Sequence, residues 1–181
     1  SHAIRRRFFD LEFGQIDPRF LYNLTRFRTI LKQRNNYLKQ LQQKKATDTL
    51  YLEVLSEQLA QFAGAIIVKR LEFLAELERY AKEIHGQITQ DKEQLAFSYE
   101  SSLKEPSQAT ENEITKALKK GFANLQQKEI FQGTTLLGPH RDDVVFKINE
   151  QNVQIYGSQG QQRTTALSVK LAEIELMKNK T

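Results

Sequence analysis

Two apolar stripes at helical spacing, separated by a short polar break, constrain this chain more than any other feature. Phe20, Leu24, Phe27, Leu31, Leu38 and Leu41 recur every three to seven residues, while Arg19, Arg26, Arg28, Lys32, Arg34 and Lys39 mostly take the other faces. Asp17-Pro18 starts this helix, because the aspartate can accept from free N–H groups of the first turn and proline has no donor to leave unsatisfied there. Lys44-Lys45-Ala46-Thr47-Asp48 interrupts the pattern, which resumes through Leu52, Leu55, Leu59, Phe62, Ile66, Phe73, Leu77, Ala81 and Ile84. A helix over 18–43 and a second closed by His85-Gly86, read as a glycine C-cap, predict a long antiparallel hairpin. On this reading His85 is a structural helix-end residue.

Beyond Gly86 the period changes. Leu95, Phe97 and Tyr99 alternate with Ala96, Ser98 and Glu100, which predicts a strand with one buried face. Thr110-Glu111-Asn112-Glu113 is a capping box and opens a helix to about Gln127. Short strands are expected over 134–137 and 144–149, then, after a turn at Glu150-Gln151-Asn152, over 153–156. A last helix runs from Gln161 to about Lys178 and is expected to bury Ala166, Leu167, Leu171, Ile174 and Met177. The fold class is therefore α+β: a helical hairpin lobe over 1–90 and a small, mostly antiparallel sheet with its helices over 91–181.

Composition narrows the function classes. Without cysteine there is neither a disulfide framework nor a thiolate metal site. No apolar run has the length of a membrane span, so no membrane partner is expected. Ser1-His2-Ala3 lacks an initiator methionine and reads as a tag remnant, which suggests a piece of a longer protein. Charge is concentrated at the front: residues 1–45 carry eleven Lys or Arg against Asp10, Glu12 and Asp17, a net of +8 where the whole chain has +5. Clustered cations favour a polyanion, nucleic acid first, with a solvated helix face as the alternative. Arg5, Arg6, Arg7, Arg26, Lys32 and Arg34 are the candidate DNA contacts. Arg5-Arg6-Arg7 equally suits the solvated start of an element flanking Phe8 and Phe9.

The segment Ser158-Gln159-Gly160-Gln161 supports two readings. A helix start presents unsatisfied N–H groups and the positive end of the macrodipole, to which a serine hydroxyl adds a donor, so the segment suits a phosphate. Gly160 in a first turn suggests close approach of a ligand to the backbone. Ser158 with Gln161 is also an ordinary capping box. Upstream, His140-Arg141-Asp142 imitates a kinase catalytic loop, but Lys147 stands where the metal-binding asparagine should be, and no glycine-rich loop or Asp-Phe-Gly accompanies it. His140 with Asp142 and Asp143 could ligate a divalent ion, although adjacent carboxylates on a strand point apart; a turn fixed by Arg–Asp pairing is the simpler account.

The run Tyr156-Gly157-Ser158-Gln159-Gly160-Gln161-Gln162-Arg163-Thr164-Thr165-Ala166-Leu167-Ser168, continued by Lys170-Leu171-Ala172-Glu173-Ile174-Glu175, resembles the RecF family of bacterial recombination-repair proteins. So do Leu137-Gly138-Pro139-His140-Arg141-Asp142-Asp143, Arg6-Arg7-Phe8-Phe9-Asp10 and Leu31-Lys32-Gln33-Arg34-Asn35. The resemblance implies the head of an ABC/SMC-type ATPase, in which two heads sandwich ATP. Ser158 and the backbone of Gly160 would then meet the γ-phosphate held by a partner subunit. Gln159, Gln161 and Gln162 would shape the loop, Arg163 would support it, and His140, Arg141 and Asp142 would shape or border the interface.

No G-x-x-x-x-G-K-[ST] occurs, because none of the eight glycines precedes a lysine, and no aliphatic run ends in an acidic pair. The resemblance places the P-loop before this region and the Walker B strand after it, with Thr181 as a break point. The piece alone is therefore expected to have no catalytic residue, no metal site and no tightly bound ATP or magnesium. For the parent the resemblance implies a slow, cytoplasmic ATPase of the SOS response that uses ATP and magnesium and forms an ATP-dependent homodimer. It would act with RecO and RecR to load RecA at single-stranded, gapped or junction DNA. The alternative is a helical-hairpin module that binds protein or nucleic acid without a nucleotide.

Overall fold

The structure, a computed structural model, describes residues 2–180, His2 by its backbone alone. Ser1, read as part of a tag remnant, and Thr181, read as a break point, lie outside the described residues. The helices are α1 (His2–Ile16), α2 (Pro18–Gln42), α3 (Thr49–Thr89), α4 (Glu111–Gln132), α5 (Val153–Tyr156) and α6 (Gln159–Lys180). Three strands, β1 (Leu95–Glu100), β2 (Asp143–Ile148) and β3 (Gln151–Asn152), form one antiparallel sheet in the order β1-β2-β3. The class is α+β, as the sequence predicts.

Local chemistry explains most element boundaries. Asp17 is extended and its Oδ1 accepts from the Arg19 N–H at 2.9 Å, so Pro18 enters α2 at its first turn. At α4 the Thr110 hydroxyl accepts from Glu113 N–H and the Glu113 carboxylate accepts from Thr110 N–H. That backbone bond from Thr110 holds the Glu113 carboxyl below its usual range. α4 passes Gln127 and stops at Gly133, whose φ of 68° lets its N–H reach the carbonyls of Glu129 and Ile130.

Four sequence expectations are corrected. Gly86 does not cap α3, which continues to Thr89. The chain instead turns back through Gln90 and Asp91, at φ of 53° and 61°, and the Asp91 N–H donates to the Gly86 carbonyl at 2.8 Å. A Cβ on Gly86 would lie 2.8 Å from Asp91 Oδ1, so the glycine makes room for this return.

Residues 134–137 are not a strand, because side chains take the bonds that a neighbouring strand would. Asn35 Oδ1 accepts from the Thr135 N–H at 2.8 Å, and Glu129 Oε2 accepts from the Leu136 N–H at 2.8 Å. Residues 153–156 are a helical turn, because Asn152 Oδ1 accepts from the N–H groups of Gln154 and Ile155. The reversal before them is the two-residue hairpin Asn149-Glu150, both residues at positive φ.

Finally, α6 turns a different face inward. Thr165, Ser168, Val169, Ala172, Glu173 and Leu176 are buried, whereas Ala166, Leu167, Leu171 and Ile174 are exposed and Met177 is half-buried. The helix carries apolar residues on two sides, and periodicity cannot choose between them.

The chain divides into two compact units. Unit one is Ser1–Glu12, Arg70–Glu100 and Asp143–Thr181; unit two is Phe13–Lys69 and Ser101–Asp142. Each of the segments 1–90 and 91–181 thus contributes to both. Unit one buries Phe9, Phe73, Leu77, Leu95, Ile148 and Leu176, and within it Arg70 spans to both carboxylate oxygens of Asp10, at 2.9 and 2.7 Å, and to the Tyr99 hydroxyl at 3.1 Å. Unit two buries Phe20, Phe27, Leu38, Leu59, Ile66 and Leu118.

Candidate functional site

The entrance to α6, in unit one, is built from the chain outwards. The α5 turn ends at Gly157, whose N–H donates to the Val153 carbonyl at 2.9 Å. A Cβ there would stand 2.5 Å from that same oxygen, so the glycine lets the chain leave α5 this close to its first residue. Ser158 Oγ then accepts from the Gln161 N–H at 3.1 Å, and Gln161 Oε1 accepts from the Ser158 N–H at 3.0 Å. This is a reciprocal capping box, one of the two sequence readings. Gln162 Nε2 donates to the carbonyls of Gly157 and Val153, at 3.3 and 3.4 Å, tying the loop to α5.

The box leaves donors over. Ser158, Gln159 and Gly160 are exposed, and no acceptor among the described residues takes the N–H groups of Gln159 and Gly160. The Ser158 hydroxyl, accepting from Gln161, keeps its own proton to donate. A Cβ added to Gly160 would meet nothing nearer than Ser158 Oγ at 3.9 Å, so that side of the turn is open. Two N–H groups, a hydroxyl and the positive end of a 22-residue helix therefore face the same open space. Arg163, one turn on, is exposed and forms no ion pair among the described residues. Ile155 and Tyr156, each 70% exposed, stand beside this entrance.

One partner of the loop escaped the sequence reading. Glu93, in the return after α3, accepts from Gln161 Nε2 at its Oε2, 3.3 Å away, and lies 2.9 Å from His85 Nε2 through its Oε1. His85 Nδ1 lies 2.8 Å from Ser168 Oγ inside α6. His85, four residues before the end of α3, is wholly buried and links α3 to α6. No spacing rule signals this arrangement, because it depends on the turn at Gln90-Asp91.

The other candidates are placed differently. In unit two, His140 and Arg141 form a 3-10 turn with Pro139, and the ring nitrogen Nε2 of His140 and Nη1 of Arg141 both lie near the Thr135 carbonyl, at 3.2 and 3.3 Å. The His140 ring packs 5.7 Å from that of Phe27, and Asp142 is buried. No group of three or more His, Asp or Glu among the described residues is placed to hold a metal ion.

Of the basic candidates, Arg34 is overturned as a DNA contact. Its side chain has 0% exposure and donates to both Glu129 oxygens, at 3.2 and 2.7 Å, to Thr135 and to Ser56, with the Phe122 ring 4.4 Å from its guanidinium carbon. Arg5 is occupied by both oxygens of Asp143, at 3.2 and 2.7 Å. Arg6 is half-buried, while Arg7, Arg26 and Lys32 are exposed. No helix among the described residues is long and apolar enough to cross a membrane.

No protein-family model matches the chain. It is 63% identical over 179 residues to the DNA replication and repair protein RecF of Ligilactobacillus salivarius strain UCC118, a match covering 99% of the chain and 47% of that protein. It is 51% identical over 183 residues to the RecF of Latilactobacillus sakei, covering 100% and 48%. Solved structures described as the recombination mediator protein RecF-ATPrS and RecF-ATP in the RecFOR pathway superpose with TM-scores of 0.93 and 0.93 at 30% and 29% identity, and the chain covers 48% of each. The chain spans about half the length of the curated relatives it matches.

Proposed function

This chain belongs to the RecF family, and from that premise we propose that it supplies the phosphate-sensing loop of an ATP-dependent DNA-repair switch. Two copies of the parent close on ATP. Ser158 and the N–H groups of Gln159 and Gly160 from one copy meet the terminal phosphate of the nucleotide held by the other, with Arg163 beside them. The P-loop and the acidic strand that holds magnesium belong to parts of the parent outside these residues. The loop makes the terminal phosphate an adhesive between subunits, so its loss on hydrolysis releases the dimer. The dimer engages single-stranded, gapped or junction DNA in the cytoplasm and works with RecO and RecR to load RecA.

One observation carries the reading: the donors at the start of α6 remain open after the capping box has formed. The solved RecF relatives described with ATP and ATPrS support a nucleotide as the ligand. The test is Ser158→Arg in the full-length parent, which fills the open space with a bulky cation. ATP binding by single protomers stays unchanged and ATP-driven dimerisation, followed by light scattering, is lost. Dimerisation equal to that of the unaltered protein would refute the role given to the loop.

A further inference from the structure

We infer that Glu93 is a positioning residue for the phosphate-sensing loop, set in place by His85 and Ser168; the inference rests on the reading of that loop given above. Gln161 completes the capping box only if its amide oxygen faces the Ser158 N–H and its amide nitrogen faces away. The two ends of a glutamine amide are nearly identical in shape, so packing alone does not choose between them. Glu93 does. Its Oε2, 3.3 Å from Gln161 Nε2, accepts from an NH2 group and repels a carbonyl oxygen, so the flipped amide would set oxygen against carboxylate.

Glu93 is itself fixed. Its Oε1 pairs with His85 Nε2 at 2.9 Å, and His85 Nδ1 pairs with the Ser168 hydroxyl at 2.8 Å, so both ring nitrogens are held. His85 and Ser168 are both 0% exposed, so this serine, histidine and glutamate set has the spacing of a hydrolytic triad but no access for a substrate. What it offers is rigidity. The C-terminal turns of α3 are connected through three side chains to the first turn of α6, in the turn that carries the open N–H groups.

The full-length protein provides the test. Glu93→Ala weakens ATP-dependent dimerisation about ten-fold and leaves ATP binding by single protomers unchanged, and the Glu93→Ala/Gln161→Ala double variant is no weaker than Gln161→Ala alone. Additive losses would overturn the inference, since independent residues add. Amide hydrogen exchange without nucleotide gives a second readout: Glu93→Ala speeds exchange over residues 157–162 and not over 165–176. Unchanged exchange over 157–162 would sink the idea whatever dimerisation does. If exchange speeds up while Ser158→Arg still dimerises normally, the positioning by Glu93 stands and the phosphate reading of the loop has failed.

Discussion

Arg34 and Glu173 are both buried charges, and their surroundings give them opposite consequences. The Arg34 guanidinium has acceptors on every side within unit two, so its charge is matched and it is a structural tie. Glu173, 5% exposed on the inward face of α6, has no hydrogen-bond partner at its Oε2. Burial and the neighbouring Glu12 push its carboxyl up to about 7, against a smaller opposing pull from Lys170. The folded state therefore holds this proton more tightly than the unfolded chain, whose reference value is 4.5. The resulting stability is complete below that value and is lost as pH rises through about 7. Glu173→Gln removes the charge and should raise stability at pH 8 by on the order of 1 kcal/mol, with little change at pH 4. Thermal melts at the two pH values check this, and an equal effect at both would remove the assigned cause.

At the scale of elements, what could be read from the sequence depended on where each segment finds its hydrogen-bond partners. α2 and α3 were legible because a helix satisfies its own backbone, and a sustained apolar period with Asp17-Pro18 at the start leaves few alternatives. The capping box at Thr110 was legible for the same reason. Residues 134–137 were not, because the N–H of Thr135 is satisfied by Asn35, a hundred positions earlier, which no local pattern reveals. The Ser158 loop was legible as a capped helix start, yet Glu93 and His85 were not, since they reach it only through the return at Asp91.

Gly160 separates a folding role from a functional one. Its added Cβ meets nothing within ordinary contact except Ser158 Oγ at 3.9 Å, so Gly160→Ala leaves the fold intact and strengthens α6 by up to about 1 kcal/mol. In the proposed dimer the same methyl stands between the backbone and the phosphate. The variant should therefore melt at the same temperature or higher and dimerise on ATP at least ten-fold more weakly. A variant that is both stable and fully competent would mean that no ligand approaches this turn.

For the whole molecule, the concentration of positive charge at the front becomes a surface only after burial is taken into account. Arg34 is withdrawn into unit two, and Arg5 is neutralised by Asp143 in unit one. The exposed cations of α2 include Arg28, Lys32 and Lys39, which helical spacing places on one side, flanking the buried stripe of Phe20, Leu24, Phe27 and Leu38. A stripe of cations without an apolar partner fits a polyanion, and its contribution to binding should come chiefly from released counterions. Replacing Arg28, Lys32 and Lys39 together by glutamate in the full-length parent should weaken DNA binding at low salt. The slope of log affinity against log salt should fall by about 2–3, close to the number of phosphates these side chains could neutralise. Binding isotherms at several salt concentrations give that slope directly. Because ATP-driven dimerisation depends on unit one in this account, it should be unaffected. Loss of dimerisation in the triple variant, or an unaltered slope, would mean that α2 does not carry the DNA and that the front charge serves another purpose.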